Sequence, residues 1–173
     1  VFGYLDQGGR GIVQAALDTG AFENFYFADG MYGESIIAAI GPGLDGRVLG
    51  TVPGSDSAGA TSFAELAADA GFDPTSSFAG ESYDAAALIV LAIAKAGSAD
   101  RTAIRDGILD IANEPGEKIM PGELARGIEL LQNGEDIDYV GATDVELIGE
   151  GEAAGSYRVF AIRDGALHTV EYR

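Results

Sequence analysis

FYFADGMYGESIIAAIGPGLDGRVLGTVPG, residues 25–54, is the stretch that decides the fold class. Phe25–Ala28 reads as a short aromatic strand and Ser35–Ile40 as a short helix stopped by Gly41-Pro42. Arg47–Val52 reads as a second strand, closed by Pro53-Gly54. Working backwards, Gly11–Asp18 has a helical apolar side of Ile12, Ala15, Ala16 and Leu17, and Gly20 is placed to cap it. Val1–Tyr4 reads as a strand. Strand, helix, strand, helix and strand with short loops predict parallel pairing in an open α/β sheet.

Working forwards, Gly54–Thr61 (GSDSAGAT) is a composition break that reads as a linker or hinge. Helical spacing follows. Ser62–Ala70 is one expected helix, with Asp73-Pro74 marking the turn beyond it. Glu81–Ala96 is apolar nearly all the way round, which predicts a helix buried between layers. Arg101–Ala112 places Ile104, Ile108 and Ile111 on one face. Pro121–Gln132 does the same with Leu124, Ile128 and Leu131, with Pro121 expected in the first turn and Gly134 beyond the last. The chain returns to strands at Val145–Ile148, Tyr157–Ile162 and Ala166–Val170, the last two joined by the hairpin signal Asp164-Gly165.

Composition narrows the function. The chain has 173 residues, 10 Lys and Arg against 28 Asp and Glu, and a net charge of −18. A field of that sign repels phosphate backbones and anionic headgroups, which disfavours nucleic acid and direct membrane insertion. The longest apolar run, Ala85–Ala94, is about half of what spans a bilayer. No Cys is present, so disulfides, thiolate nucleophiles and Cys-ligated metals are out of reach. The sequence opens on Val1 inside an expected strand, and reads as a soluble fragment.

Motifs that carry chemistry mostly fail on spacing. Gly8-Gly9-Arg10-Gly11 would need a glycine at Gln14 to be a dinucleotide fingerprint. Its glycines instead fit a loop that runs close to a ligand or into a helix N-terminus. Asp136 and Asp138 begin like a calcium loop, but Val140 and Leu147 stand where oxygen ligands belong. His168, the single histidine, lacks a nucleophile elbow. No cofactor or metal is expected, and no constellation points to an enzyme. Asp29 stands apart: it follows an aromatic strand at its carboxyl end, where open sheets bind ligands. A carboxylate there suits an ammonium group, although Asp29-Gly30 also reads as a plain turn.

A further set of segments goes together. Phe63, Gly71-Phe72-Asp73-Pro74, Ser82-Tyr83-Asp84-Ala85 and Ala92-Ile93-Ala94-Lys95-Ala96-Gly97-Ser98 follow in order. They are joined by Glu114-Pro115-Gly116-Glu117, Tyr139-Val140-Gly141-Ala142-Thr143, and Tyr157-Arg158-Val159-Phe160 before Asp164-Gly165. Upstream, Gly3-Tyr4, Gln14-Ala15-Ala16, Gly20 and Asp29-Gly30 complete the set. In order and spacing the chain resembles the C-terminal half of the periplasmic Leu/Ile/Val-type substrate-binding proteins of ABC transporters. Asp144–Gly151 departs from that family's pattern by lacking a glycine and about one residue.

The resemblance implies a type I periplasmic-binding-protein fold, two three-layer α/β lobes joined by three crossovers with the solute between them. It implies that 1–53 is part of the second lobe, 54–61 a hinge, 62–143 a return to the first lobe, and 144–173 a crossover with closing strands of the second. It also implies a periplasmic or other extracytoplasmic location, ABC permease subunits as partners, and an amino acid or similar polar solute as ligand. Asp29 and Gly30 would receive the solute's ammonium, and Tyr4 would close over it. A ligand-sensing receptor of the same fold is the alternative, and a small α/β hydrolase a more distant one. Without the rest of its lobes the fragment is expected to self-associate.

Overall fold

Phe25, Phe27, Val48, Val52, Phe160 and Ile162 are buried on a four-stranded sheet and form a core with Val13, Met31, Ile36 and Leu44. The computed structural model describes residues 1, 3–149 and 151–173. In chain order its elements are α1 (Arg10–Thr19), β1 (Phe25–Phe27), α2 (Glu34–Ile40), β2 (Val48–Pro53), α3 (Ala58–Ala70), α4 (Ala79–Ala96) and α5 (Arg101–Ala112). There follow β3 (Glu117–Ile119), α6 (Leu124–Gln132), β4 (Ile137–Tyr139), β5 (Leu147–Gly149), β6 (Glu152–Ala153), β7 (Tyr157–Arg163) and β8 (Ala166–Tyr172). The chain divides into two units: Val1–Gly54 with Ser156–Arg173, and Ser55–Gly155.

In the first unit β1 and β2 pair in parallel, Phe25 opposite Val48, as the sequence predicts. The sheet is nevertheless mixed, because β7 joins β2 antiparallel and β8 continues as the other arm of a hairpin. The hairpin turns at Asp164 and Gly165, both at positive φ (51° and 68°), the twist that suits a two-residue turn. Gly20 caps α1 in the left-handed region at φ 64°. Val1–Tyr4 is not a ladder strand. Val1 pairs with the edge of β1 through its own amine to Tyr26 O and through the Ala28 N–H to Val1 O; Phe2 lies outside the described residues.

The second unit packs α4, α5 and α6 on a parallel pair, β3 and β4, around Ala87, Leu91, Ile111, Ile119, Leu131, Ile137 and Tyr139. The expected linker 54–61 gives way at Ala58 to α3, because Ser57 caps that helix by accepting the Ala60 N–H at 3.2 Å. Pro121 precedes α6 rather than opening it, since the helix starts at Leu124. The apolar helix expected at 81–96 is covered on one side by this chain. Asp84, Ala87, Leu91 and Ala92 face the core, whereas Ile89 (48%), Val90 (43%) and Ile93 (37%) are exposed. Among the described residues, no single helix is long and apolar enough to cross a membrane.

Asp84, 3% exposed, organises the second unit. Its Oδ1 accepts from Tyr139 Oη (2.8 Å) and the Ala142 N–H (2.7 Å). Its Oδ2 accepts from the Thr143 N–H (2.8 Å) and Thr143 Oγ1 (2.7 Å). Burial, with the Asp84 carboxylate beside it, holds the Tyr139 phenol far above its ordinary range, so it stays a donor. Gly141, at φ 65°, passes so close that a Cβ would lie 2.5 Å from Asp84 Oδ1. On the other side of this loop Gly59 of α3 meets Gly141 O with no room for a side chain.

Asp138, next in β4, is buried, and that burial raises its carboxyl above the ordinary 3.8; Lys118 opposes the shift, while Glu114 and Asp144 add to it. A raised native pKa means the neutral form is the better tolerated one. The residue's favourable contribution is complete below its unfolded-state pKa and is lost as pH rises through the native value. Asp138→Asn should therefore raise the thermal midpoint at pH 7, and the gain should shrink toward zero as pH falls below about 4. Thermal melts across that range check it.

Candidate functional site

Asp29, Gly30 and Tyr4 meet at the carboxyl end of β1. The chain leaves Phe27 and makes a single tight turn over Asp29–Met31, with Met31 N–H on Ala28 O and Tyr32 N–H on Asp29 O, both 2.9 Å. Asp29 is half-buried, and its Oδ1 accepts the Gly30 N–H at 2.8 Å. Among the described residues no donor meets Oδ2. Tyr4 is 66% exposed. A Cβ on Gly30 would lie 3.1 Å from Tyr4 Cδ1 and would overlap Gly3 O. The glycine is thus required where the Gly3–Tyr4 main chain crosses the turn.

Tyr4 is held from below. Its carbonyl accepts the N–H groups of Gln7 (3.1 Å) and Gly9 (3.0 Å) in the wide turn that leads into α1. Gly9 is buried, and a Cβ there would come within 2.5 Å of Met31 Sδ and 2.7 Å of Tyr4 O. Arg10 braces the turn through Nε to Leu5 O (3.0 Å) and an ion pair with Asp6 (2.8 Å). Gly9 therefore serves packing, and Gly8, at φ 97°, the turn that enters the helix, one of the two roles expected of these glycines.

Chemically the turn offers one carboxylate oxygen, and the exposed Tyr4 ring lies against the neighbouring Gly30. That suits a cationic, hydrogen-bond-donating group. It supplies no nucleophile with an adjacent base. His168 lies on β8, exposed, with Nε2 3.1 Å from Arg163 O. A groove of about 470 Å³ lined by Asn24, Tyr26, Arg47, Leu49 and Arg163 opens at the other end of β1 and contains none of the three residues.

Sequence reasoning missed what stands behind the turn. Tyr32 packs edge-on against Phe160, with centroids 4.9 Å apart, and the Arg158 guanidinium lies 4.8 Å over the Tyr32 ring. Arg158 and Phe160, two apart on β7, share one face.

No family model matches the chain. It is 27% identical over 131 residues, 75% of its length, to a chemotactic signal transduction system substrate-binding protein, BasB, of Halobacterium salinarum. In structure it is similar to the leucine-binding protein LivK of Thermotoga maritima (TM-score 0.67, 21% identity, 94% of this chain). It is also similar to a putative branched-chain amino acid ABC transporter protein of Rhodospirillum rubrum (TM-score 0.54, 16% identity, 91% of this chain). The chain spans 31% of BasB and 41% and 40% of the two solved chains. These likenesses show the fold: part of a type I periplasmic-binding-protein α/β architecture.

Proposed function

We propose that the chain is the C-terminal part of an extracytoplasmic solute-binding protein that captures a small amino acid or related polar solute and makes or breaks no bond. The observation that carries this reading is the placement of Tyr4, Asp29 and Gly30 together at the end of β1, in a fold shared with a leucine-binding protein. The free Oδ2 of Asp29 accepts the solute's ammonium, and the exposed Tyr4 ring covers it. The unit Val1–Gly54 with Ser156–Arg173 contributes to the second lobe and Ser55–Gly155 to the first. Closure of the lobes retains the solute for delivery to membrane permease subunits. Since one fold serves many ligands, the amino-acid assignment rests on the site alone.

A second reading shares the capture step and differs in the recipient. Likeness to a chemotactic substrate-binding protein favours handing the occupied protein to a signalling receptor in place of an importer. Deleting the gene and measuring uptake and chemotaxis toward the same solute separates the two.

The binding step has its own test. In the full-length protein Asp29→Asn should weaken amino-acid binding by ten- to a hundredfold, the loss of a charge-assisted hydrogen bond of about 1.5–3 kcal/mol in a closed site. Its thermal midpoint without solute should stay within a degree or two of the parent's, because Asp29 is half-exposed. Calorimetric titration with unchanged affinity in Asp29→Asn would remove Asp29 from the site.

A further inference from the structure

Tyr32 ends the turn that begins at Asp29, and a turn of one residue triplet has little stability of its own. Something outside it must fix the direction in which the Asp29 carboxylate points. We propose that Arg158 is that positioning residue, acting through the ring of Tyr32.

Gly50 on β2 lies opposite Phe160 on β7. A Cβ at Gly50 would fall 2.7 Å from Phe160 Cε1 and 2.7 Å from Phe27 O. Glycine there lets the Phe160 ring lie flat across β2, 1% exposed. The ring forms a floor against which Tyr32 stands at 72°, with centroids 4.9 Å apart. Arg158 shares that face of β7, opposite Val52, and is 9% exposed. Its guanidinium carbon sits 4.8 Å over the Tyr32 ring centroid. Tyr32 is therefore held by Phe160 at its edge and by a buried cation on its face.

The hold is transmitted by two short main-chain bonds. The Tyr32 N–H donates to Asp29 O and the Met31 N–H to Ala28 O, so a fixed Tyr32 ring fixes the plane of the Asp29 peptide. A planar guanidinium can lie parallel to an aromatic face, which an ammonium cannot do over the same area. The residue type at 158 thus carries the function, and Arg158→Lys keeps the charge while losing the stack. Arg158 touches no solute in this scheme; it acts on Asp29 from behind.

Two measurements on the full-length protein test this. The first needs no solute and is independent of the binding reading. In Arg158→Met, amide hydrogen exchange at Met31 and Tyr32 should accelerate at least tenfold, while the amides of Val48–Val52 in β2 stay within twofold of the parent. Arg158→Lys should fall between the two. Acceleration of β2 equal to that of the turn would make Arg158 an ordinary core residue and overturn the proposal, as would an unchanged turn. Tyr32→Leu, altering a half-buried ring, gives the same comparison if Arg158→Met does not fold.

The second measurement rests on Asp29 as the solute's acceptor. The protein is titrated with each proteinogenic L-amino acid, and the tightest becomes the probe. Arg158→Met should weaken it about tenfold, and Arg158→Met with Asp29→Asn should bind no worse than Asp29→Asn alone. Losses that multiply would overturn the proposal. An Asp29→Asn variant that binds normally, or a panel without a binder, removes the binding reading only, and hydrogen exchange at the turn then decides the role of Arg158.

Discussion

Asp84→Ala should destabilise the second unit by about 3–5 kcal/mol, read as a shift of the urea midpoint. The carboxylate takes four hydrogen bonds, from two hydroxyls and two main-chain amides, and is buried with them. Removing it leaves the Tyr139 hydroxyl and the Ala142 N–H in a dry interior with nothing to accept them. Each such group costs about 1–3 kcal/mol, and the half-buried Thr143 recovers part of its loss from water. Asp84→Asn keeps one acceptor oxygen but turns the other into a donor facing donors, so it should lie between alanine and the parent. Tyr139→Phe removes a single bond and should cost about 1–2 kcal/mol. A midpoint unchanged in Asp84→Ala would mean the loop at 139–143 is held by other contacts.

Gly59→Ala should cost a similar amount, about 3 kcal/mol, at the upper end for a small-to-large change, because the added methyl meets a main-chain carbonyl that cannot rotate away. Ala is otherwise the better helix former by about 1 kcal/mol, so propensity alone predicts the opposite sign. Gly59 and Asp84 hold the same loop from two sides. The double variant should therefore lose less than the two single losses together, since a loop already displaced by one change no longer resists the other. Equal and additive losses would show that the two contacts are independent.

These contacts explain why some of the architecture was legible in the sequence and some was not. Gly20 and Asp164-Gly165 announce themselves because the left-handed backbone excludes most other residues locally. The helix at Arg101–Ala112 is legible because its isoleucines repeat at the helical period and Asp100 caps it. By contrast β3 and β4 are three residues each and carry Lys118 and Asp138 in mid-strand, too short for a period to register and without an apolar run. Tyr83-Asp84-Ala85 and Tyr139–Thr143 were noticed as separate motifs. What joins them is one carboxylate reaching across 55 to 59 positions, which no local pattern encodes. The start of α3 was lost for a different reason: Ser57 was counted as linker composition when it is a cap.

At the candidate site, Tyr4, Asp29 and Gly30 were all named from the sequence, and they do meet in space. The structure adds a packing reason for Gly30, room for the Gly3 carbonyl. The cluster of Tyr32, Arg158 and Phe160 is not legible in the sequence, because it depends on β7 returning beside β2 from more than a hundred positions away.

That return has a consequence for how the chain assembles. The Gly54 N–H donates to Ser156 O at 3.1 Å, so the two ends of the inserted segment Ser55–Gly155 leave the first unit side by side. On a ribosome Ser55–Gly155 is made before β7 and β8, so the pairing of β2 with β7 must wait for it. Pairing β2 with β7 across a disordered span of about 100 residues carries a loop-closure penalty that slows folding. A span already folded brings its own ends together and shortens the effective loop. Synthesis from the N-terminus thus favours an order in which Ser55–Gly155 settles before β2 and β7 pair.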